Sequence, residues 1–333
     1  MKRPKIGITM GDAAGIGPEI VAKTASGEFF TKIAQPVIIG DQRVFKMGQQ
    51  IAKVEFDFAA TSSISEALAA PGLALLNTGA MDASQVTIGQ KSVEYGREAA
   101  ENLKQAVEFC RHGLLDGVCF APNNKASMKE AGFKLHGVVD LLKGFFESTQ
   151  YASELGVLNN IWTARVTSHI PSRDIYKYLT LDNILRSVRL LDKAQRLAGF
   201  AQPRIAVAAF NPHAGENGTC GREEIEVIGP AVEQARAEKI EATGPWSADT
   251  LFMKLFRGDF DGAVSMYHDQ GQIAMKLQGF DNGVTVFAGL PAPVTTASHG
   301  TAYDIAGQGK AQSGAWEQAY RMAARMAANN TNA

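Results

Sequence analysis

Asp261-Gly262-Ala263-Val264-Ser265-Met266-Tyr267-His268-Asp269-Gln270-Gly271 is the stretch that decides how this chain is read. A short apolar run with strand character ends in an imidazole and a carboxylate, and a glycine then lets the backbone turn sharply. The arrangement occurs twice more. Ile205 to Phe210 is a strand-like run that delivers Asn211-Pro212-His213-Ala214-Gly215-Glu216. Ala164 to Ser168 delivers His169, and Pro171 stops any continuation. In an open α/β sheet, ligands bind outside the carboxyl ends of the strands. Three imidazoles in that position, with carboxylates nearby, point to a divalent-metal site. The bland alternative is that each histidine is a hydrogen-bonded loop residue, since the spacing matches no regular motif such as His-Glu-x-x-His.

Outward from these runs, strands and helices alternate along the chain, which predicts an α/β architecture. Ile6 to Met10 reads as a first buried strand and runs into Gly11-Asp12-Ala13-Ala14-Gly15-Ile16-Gly17-Pro18-Glu19, then a helix from Ile20 to Ala25. The G-x-G-x-x-G order is absent, so this is not a dinucleotide fingerprint. It reads either as a structural turn or as a loop facing a ligand, with Asp12 at the strand end. Val37 to Asp41 and Leu73 to Leu76 read as strands, Ser92 to Arg111 as a helix, and His112 as its C-terminal residue. Gly117 to Pro122 is a strand that ends in Asn123-Asn124-Lys125. Asp182 to Leu197 is amphipathic, and Gly221-Arg222-Glu223-Glu224 looks like a helix start with acids in its first turn. Asp249 is a helix cap or a site carboxylate. Val284 to Phe287 is a strand, and Thr295 to Gly300 a polar loop.

The 333 residues suffice for one large or two medium domains. A net charge of -1, with Lys and Arg scattered, predicts no nucleic-acid partner and no attraction to an anionic membrane. Three widely spaced cysteines suit a reducing cytoplasm rather than a disulfide framework. Neither a signal peptide nor a membrane span is expected from the start of the chain.

Taken together, the runs Thr9 to Glu19, Asn211 to Glu216, Gly221 to Glu224, Tyr267 to Gly271, Gly289-Leu290-Pro291 and His299 to Gly307 resemble the family of 4-hydroxythreonine-4-phosphate dehydrogenase, the pyridoxal-phosphate biosynthesis enzyme. The last run also looks like the adenine-binding loop of isocitrate and isopropylmalate dehydrogenases. The resemblance implies a two-domain, non-Rossmann α/β fold of the isocitrate/isopropylmalate-dehydrogenase type. Residues 1–135 with 290–333 would form one domain, and 136–289 the other. It implies a homodimer, with a divalent metal (Zn, Mn, Mg or Co) held by His169, His213 and His268, one of them supplied by the other subunit. NAD would bind near Gly289, His299, Thr301 and Asp304. Asp249 and Asp269 match carboxylates near the metal, and Lys276 a substrate-contacting lysine.

Three departures from the family pattern bear on substrate. Leu135-His136-Gly137-Val138 stands where Gly-His-Thr-Glu is usual, Val284-Thr285-Val286-Phe287 where Val-Asn-Val-Thr is usual, and Val294-Thr295-Thr296 where Arg-Thr-Ser is usual. A buried phosphate without its donors is costly. With His136, Thr285 and Lys276 as substrate contacts, the expectation is oxidative decarboxylation of an aromatic-dicarboxylate cis-dihydrodiol, such as that of terephthalate. The alternative is 4-phosphohydroxythreonine or another phosphorylated 3-hydroxy acid. A non-catalytic ligand-binding protein on the same fold is a third reading. Asp249, Asp269 and Lys276 are candidate bases.

Overall fold

A computed structural model describes residues 3–134, 137–279 and 282–330. The chain divides into two compact units, residues 1–153 with 281–333, and residues 154–280. His136 lies outside the described residues.

The first unit holds β1 (Lys5–Thr9), β2 (Gln35–Gly40), β3 (Ala59–Thr61), β4 (Ala74–Asn77) and β5 (Gly117–Phe120), with β11 (Val284–Ala288) and β12 (Val294–Ala297). Their spatial order is β3-β4-β2-β1-β5-β12-β11. All pair in parallel except β11 with β12, which is antiparallel. This order is not the Rossmann 3-2-1-4-5-6. From β1 the chain builds toward β3 on one side, then returns so that β5 joins β1 on the other. The end of β1 beside β5 is therefore a topological switch point, where open α/β sheets bind ligands.

Helix Val93–Arg111 begins at Ser92, whose hydroxyl accepts from the Glu94 N–H, and it buries Leu103, Ala106 and Val107 against Val37, Ile39, Val118 and Phe120. Helix Val138–Phe146 joins the same core through Leu142 and Phe146. That packing keeps residues 138–146 in the first unit, although the sequence placed the division at 135/136. The pairing of β11 with β12 likewise keeps residues 284–288 there, before the expected return at 290. Thr295 and Thr296, expected in a polar loop, lie buried in β12. Their hydroxyls donate to Ala319 O (2.8 Å) and Phe120 O (2.7 Å), so neither is orphaned by burial.

The second unit holds β6 (Ser153–Leu158), β7 (Ile161–Arg165), β8 (Ile205–Ala208), β9 (Ala242–Trp246) and β10 (Gly262–Ser265), ordered β6-β7-β10-β8-β9. β6 and β7 form an antiparallel hairpin closed by Asn159 (φ 50°) and Asn160 (φ 67°). Asparagine tolerates the positive φ that such two-residue turns require. β7, β10, β8 and β9 run parallel, so the segments after β7, β8 and β10 leave the same edge. Among the described residues no helix is long and apolar enough to cross a membrane.

Glu98, on helix Val93–Arg111, is only 6% exposed. Burial, opposed by the Asn102 hydrogen bond and reinforced by the charges of Asp41 and Asp12, pushes its pKa up to about 7. The folded state then holds a proton that the unfolded chain has already released above the ordinary carboxylate range. Stability contributed by this group is full below that range and is lost as pH rises to about 7. Glu98→Gln should flatten the fall in Tm over that interval; a fall as steep as in the unmodified protein would place the titration elsewhere.

Candidate active site

In the second unit, Val166 N–H donates to Ser265 O (2.9 Å), and Thr167 N–H and Oγ1 donate to Met266 O (3.2 and 2.8 Å). These bonds zip the segment after β7 onto the segment after β10. They set the rings of His169 and His268 with centroids 5.7 Å apart. His268 opens the helix His268–Leu277, and its Nδ1 lies 2.7 Å from Asp269 Oδ1. When the ring donates from Nδ1, Nε2 keeps its lone pair and faces away from Asp269. Asp269 is thus engaged with His268. The turn is fixed from behind by Gln270, which accepts from Met266 N–H (2.7 Å) and donates to Ala209 O (2.8 Å).

His213 is carried differently. Residues His213 to Asn217 form a left-handed run with φ of 53°, 54°, 76°, 43° and 56°. Each non-glycine residue there costs roughly 1–2 kcal/mol relative to the right-handed region. Such strain persists where the surroundings over-determine it and gathers at functional sites. Here the surroundings are Glu224 and Glu223. Glu224, 4% exposed, accepts from Phe210 N–H (2.8 Å), Asn211 N–H (2.8 Å) and Asn211 Nδ2 (2.9 Å). Glu223 accepts from Asn211 Nδ2 at 2.6 Å. Burial works against the Glu224 charge, yet the Asn211 and Phe210 donors hold its pKa below the usual range. The acids of Gly221-Arg222-Glu223-Glu224 stand at a helix start, as the sequence reading expects, and they also clamp the loop that presents His213. A short π-helical turn, Glu224–Ile228, precedes the α-helix Gly229–Ala237.

Among the described residues, no group of three or more His, Cys, Asp or Glu side chains is placed to hold a metal ion. His169 and His268 are neighbours; His213 is not gathered with them in one chain. The donor chemistry still fits a divalent metal in part, as two imidazoles with one ring oriented by a carboxylate. Asp249 does not cap its helix, which Ser247 precedes without a side-chain capping bond; it is exposed and accepts from Ser247 Oγ at 2.7 Å. Lys276 is exposed in the last turn of helix His268–Leu277.

In the first unit, the glycine-rich turn after β1 and the loop 299–307 are bonded to each other. Ile16 N–H donates to Thr301 O (3.0 Å). Tyr303 Oη donates to Asp12 Oδ2 (2.7 Å) and accepts from Asn124 Nδ2 (3.1 Å). Asp12 is fully buried and also accepts from Ala14 N–H (2.9 Å). Burial raises its pKa against these hydrogen bonds, and burial together with Asp12 raises that of Tyr303. This network was not foreseen as a unit, although both partners sit in runs already singled out. Gly289 (φ 86°) has no room for a Cβ, which would lie 2.2 Å from Tyr151 O. His299 leaves Nε2 buried and unpartnered, Asp304 is exposed, and Thr285 Oγ1 pairs with Ser298 Oγ at 3.2 Å. An orphaned imidazole nitrogen on this loop fits a polar ligand such as a dinucleotide.

Two α/β units, with histidines at one strand edge and a bonded glycine turn and loop at another, define an α/β protein of non-Rossmann topology. The chain belongs to the family of the pyridoxal phosphate biosynthetic protein PdxA, whose model matches residues 32–323. It is 41% identical over 329 residues (98% of this chain, 94% of the relative) to the Rhizobium meliloti (strain 1021) protein named "Putative 4-hydroxythreonine-4-phosphate dehydrogenase 2". The crystal structure of a 4-hydroxythreonine-4-phosphate dehydrogenase from Burkholderia phymatum matches with TM-score 0.83 and 36% identity, covering 98% of this chain and 99% of that one. A terephthalate 1,2-cis-dihydrodiol dehydrogenase from Burkholderia xenovorans LB400 matches with TM-score 0.66 and 25% identity, covering 93% and 94%.

Removing the Tyr303 hydroxyl should leave a buried carboxylate oxygen of Asp12 without its donor. Tyr303→Phe is expected to cost about 1–3 kcal/mol of stability, read as a Tm lower by several degrees. An unchanged Tm would show that the two segments are held by other contacts.

Proposed function

We propose that this protein is an NAD- and divalent-metal-dependent dehydrogenase acting on a phosphorylated 3-hydroxy acid, with 4-phosphohydroxythreonine the first candidate, and that it works as a homodimer. The observation that carries the chemistry is the His169–His268 pair with Asp269 on Nδ1 of His268. The phosphorylated class is favoured over the aromatic diol expected from the sequence. The two matches named for it are 36–41% identical over nearly the whole chain, whereas the diol dehydrogenase is 25% identical with a lower TM-score.

Bound in these sites, the metal would supply Lewis acidity and NAD a hydride acceptor. The protein's own part is to orient and to move protons. Asp269 holds the His268 ring so that Nε2 is presented as a donor atom, and His169 presents a second imidazole beside it. His213, on its strained loop, is offered to the site of a second copy. Exposed apolar side chains support that pairing: Ile273 (58%) and Leu277 (80%) lie one turn apart on the helix that His268 opens. Because Asp269 is committed to His268, the hydroxyl proton falls to Asp249 or Lys276. Oxidation at the 3-hydroxyl gives a ketone β to the carboxylate, from which CO2 leaves.

NADH formation is the test, with 4-phosphohydroxythreonine, another phosphorylated 3-hydroxy acid and a terephthalate cis-dihydrodiol compared in Mn, Mg or Zn. The phosphorylated acids should be turned over and the diol should not; turnover of the diol alone would overturn the reading. Stripping the metal should abolish activity. Asp269→Asn should weaken the apparent metal affinity about 10- to 100-fold with little change in Tm; full affinity in that variant would remove Asp269 from the site.

A further inference from the structure

Buried amide groups in folded proteins are almost always hydrogen-bonded, and the exceptions call for an explanation. Asn123 is such an exception twice over. Its Nδ2 and Oδ1 are both buried, and neither has a partner among the described residues. Its neighbour Asn124 shows what a structural asparagine does at this place. Asn124 Oδ1 accepts from Ser127 N–H (3.0 Å) to cap helix Lys125–Glu130, and its Nδ2 donates to Tyr303. Asn123 does neither.

The position of Asn123 is informative. β12 pairs with β5 so that Val294 lies opposite Val118 and Thr295 opposite Cys119. The two strands run parallel, and Thr296 Oγ1 donates to Phe120 O (2.7 Å), so the segments that carry Asn123 and His299 leave the sheet at the same edge. On the other flank, Asp12 N–H donates to Pro122 O (3.0 Å), which places the end of β1 against the residue before Asn123. Asn123 therefore stands at the switch point of the sheet, between the glycine turn and the loop that begins at His299. His299 Nε2 is itself buried and unpartnered. Three orphaned polar atoms on two residues, carried by segments that leave the same edge of the sheet, form an unsatisfied hydrogen-bonding set rather than a single packing fault.

We propose that Asn123 is a specificity-determining residue for the dinucleotide. Its carboxamide takes a ligand group that offers a donor and an acceptor side by side, either the amide of the nicotinamide or the amino edge of the adenine. The inference rests on the reading that NAD binds beside loop 299–307. An asparagine pairs bidentately with either partner by the same geometry. A site built to bond such a group rejects an analogue that lacks it, because its own buried atoms are then left unpaired.

The test is binding of three dinucleotides to the full-length protein and to Asn123→Leu, with Tm recorded for both. The probes are NAD, its 3-acetylpyridine analogue, which lacks the amide donor, and its hypoxanthine analogue, which lacks the adenine amino group. The unmodified protein should bind one analogue about tenfold or more weakly than NAD, and which one identifies the source of the partner. Asn123→Leu should bind NAD about tenfold more weakly and lose that discrimination, with a Tm no lower than before. Asn123→Asp, which keeps the shape and acceptor but not the donor, should also weaken NAD, and it replaces the leucine variant if that one does not fold. Unchanged NAD affinity and discrimination in the variants would overturn the inference, as would weakened binding explained by a large fall in Tm. Failure of the unmodified protein to bind NAD would instead overturn the cofactor reading, and the role of Asn123 with it.

Discussion

Asp12 can lie buried at the end of β1 because Gly11, at φ 69°, brings its backbone against that of residues 121–122. A Cβ there would lie 2.3 Å from Pro122 O. Gly17 is as confined, since its Cβ would lie 2.0 Å from Met10 O. With both turns closed, Asp12 N–H reaches Pro122 O, and the carboxylate is presented to Tyr303. The loop 299–307, the strand end of β5 and the start of the first helix are all positioned by that approach. Larger side chains at either glycine would open the switch point on which the cofactor reading depends.

The second unit meets its own constraint in another way. Two strand ends are zipped by backbone bonds at Ser265 and Met266, and this brings His169 to His268 without strain. The third histidine is held on five left-handed residues, fastened by two buried or half-buried glutamates. His213 is exposed on that loop, which fits the proposal that a second copy receives it.

Much of this was legible in the sequence because the relevant signals are local. Apolar runs ending in His, Gly and Asp marked the strand ends, and the helix over Val93–Arg111 followed from its period and from Ser92. What escaped reading was set by partners distant in the chain. Thr295 and Thr296 look like loop residues until Ala319 and Phe120 are seen to accept their hydroxyls. Glu223 and Glu224 look like first-turn acids and nothing more until Asn211 is seen beside them. Asn123 and Asn124 are indistinguishable as letters; only the fold satisfies one and leaves the other bare. The substrate class is less legible for a related reason, since the letters at Gly137, Thr285 and Val294 show departures from the family pattern but not the groups that surround them.

A metal site built from His169 and His268 of one chain and His213 of another would let two dead proteins make a live one. His169→Ala and His213→Ala variants, each inactive alone, would be unfolded or dissociated, mixed in equal amounts and allowed to reassociate before NADH formation is measured. If the site is shared, mixed dimers hold one intact site each, and activity should return to about a quarter of that of the unmodified protein. No recovery, with mixed dimers shown to have formed, would mean that the three histidines do not meet across the two chains.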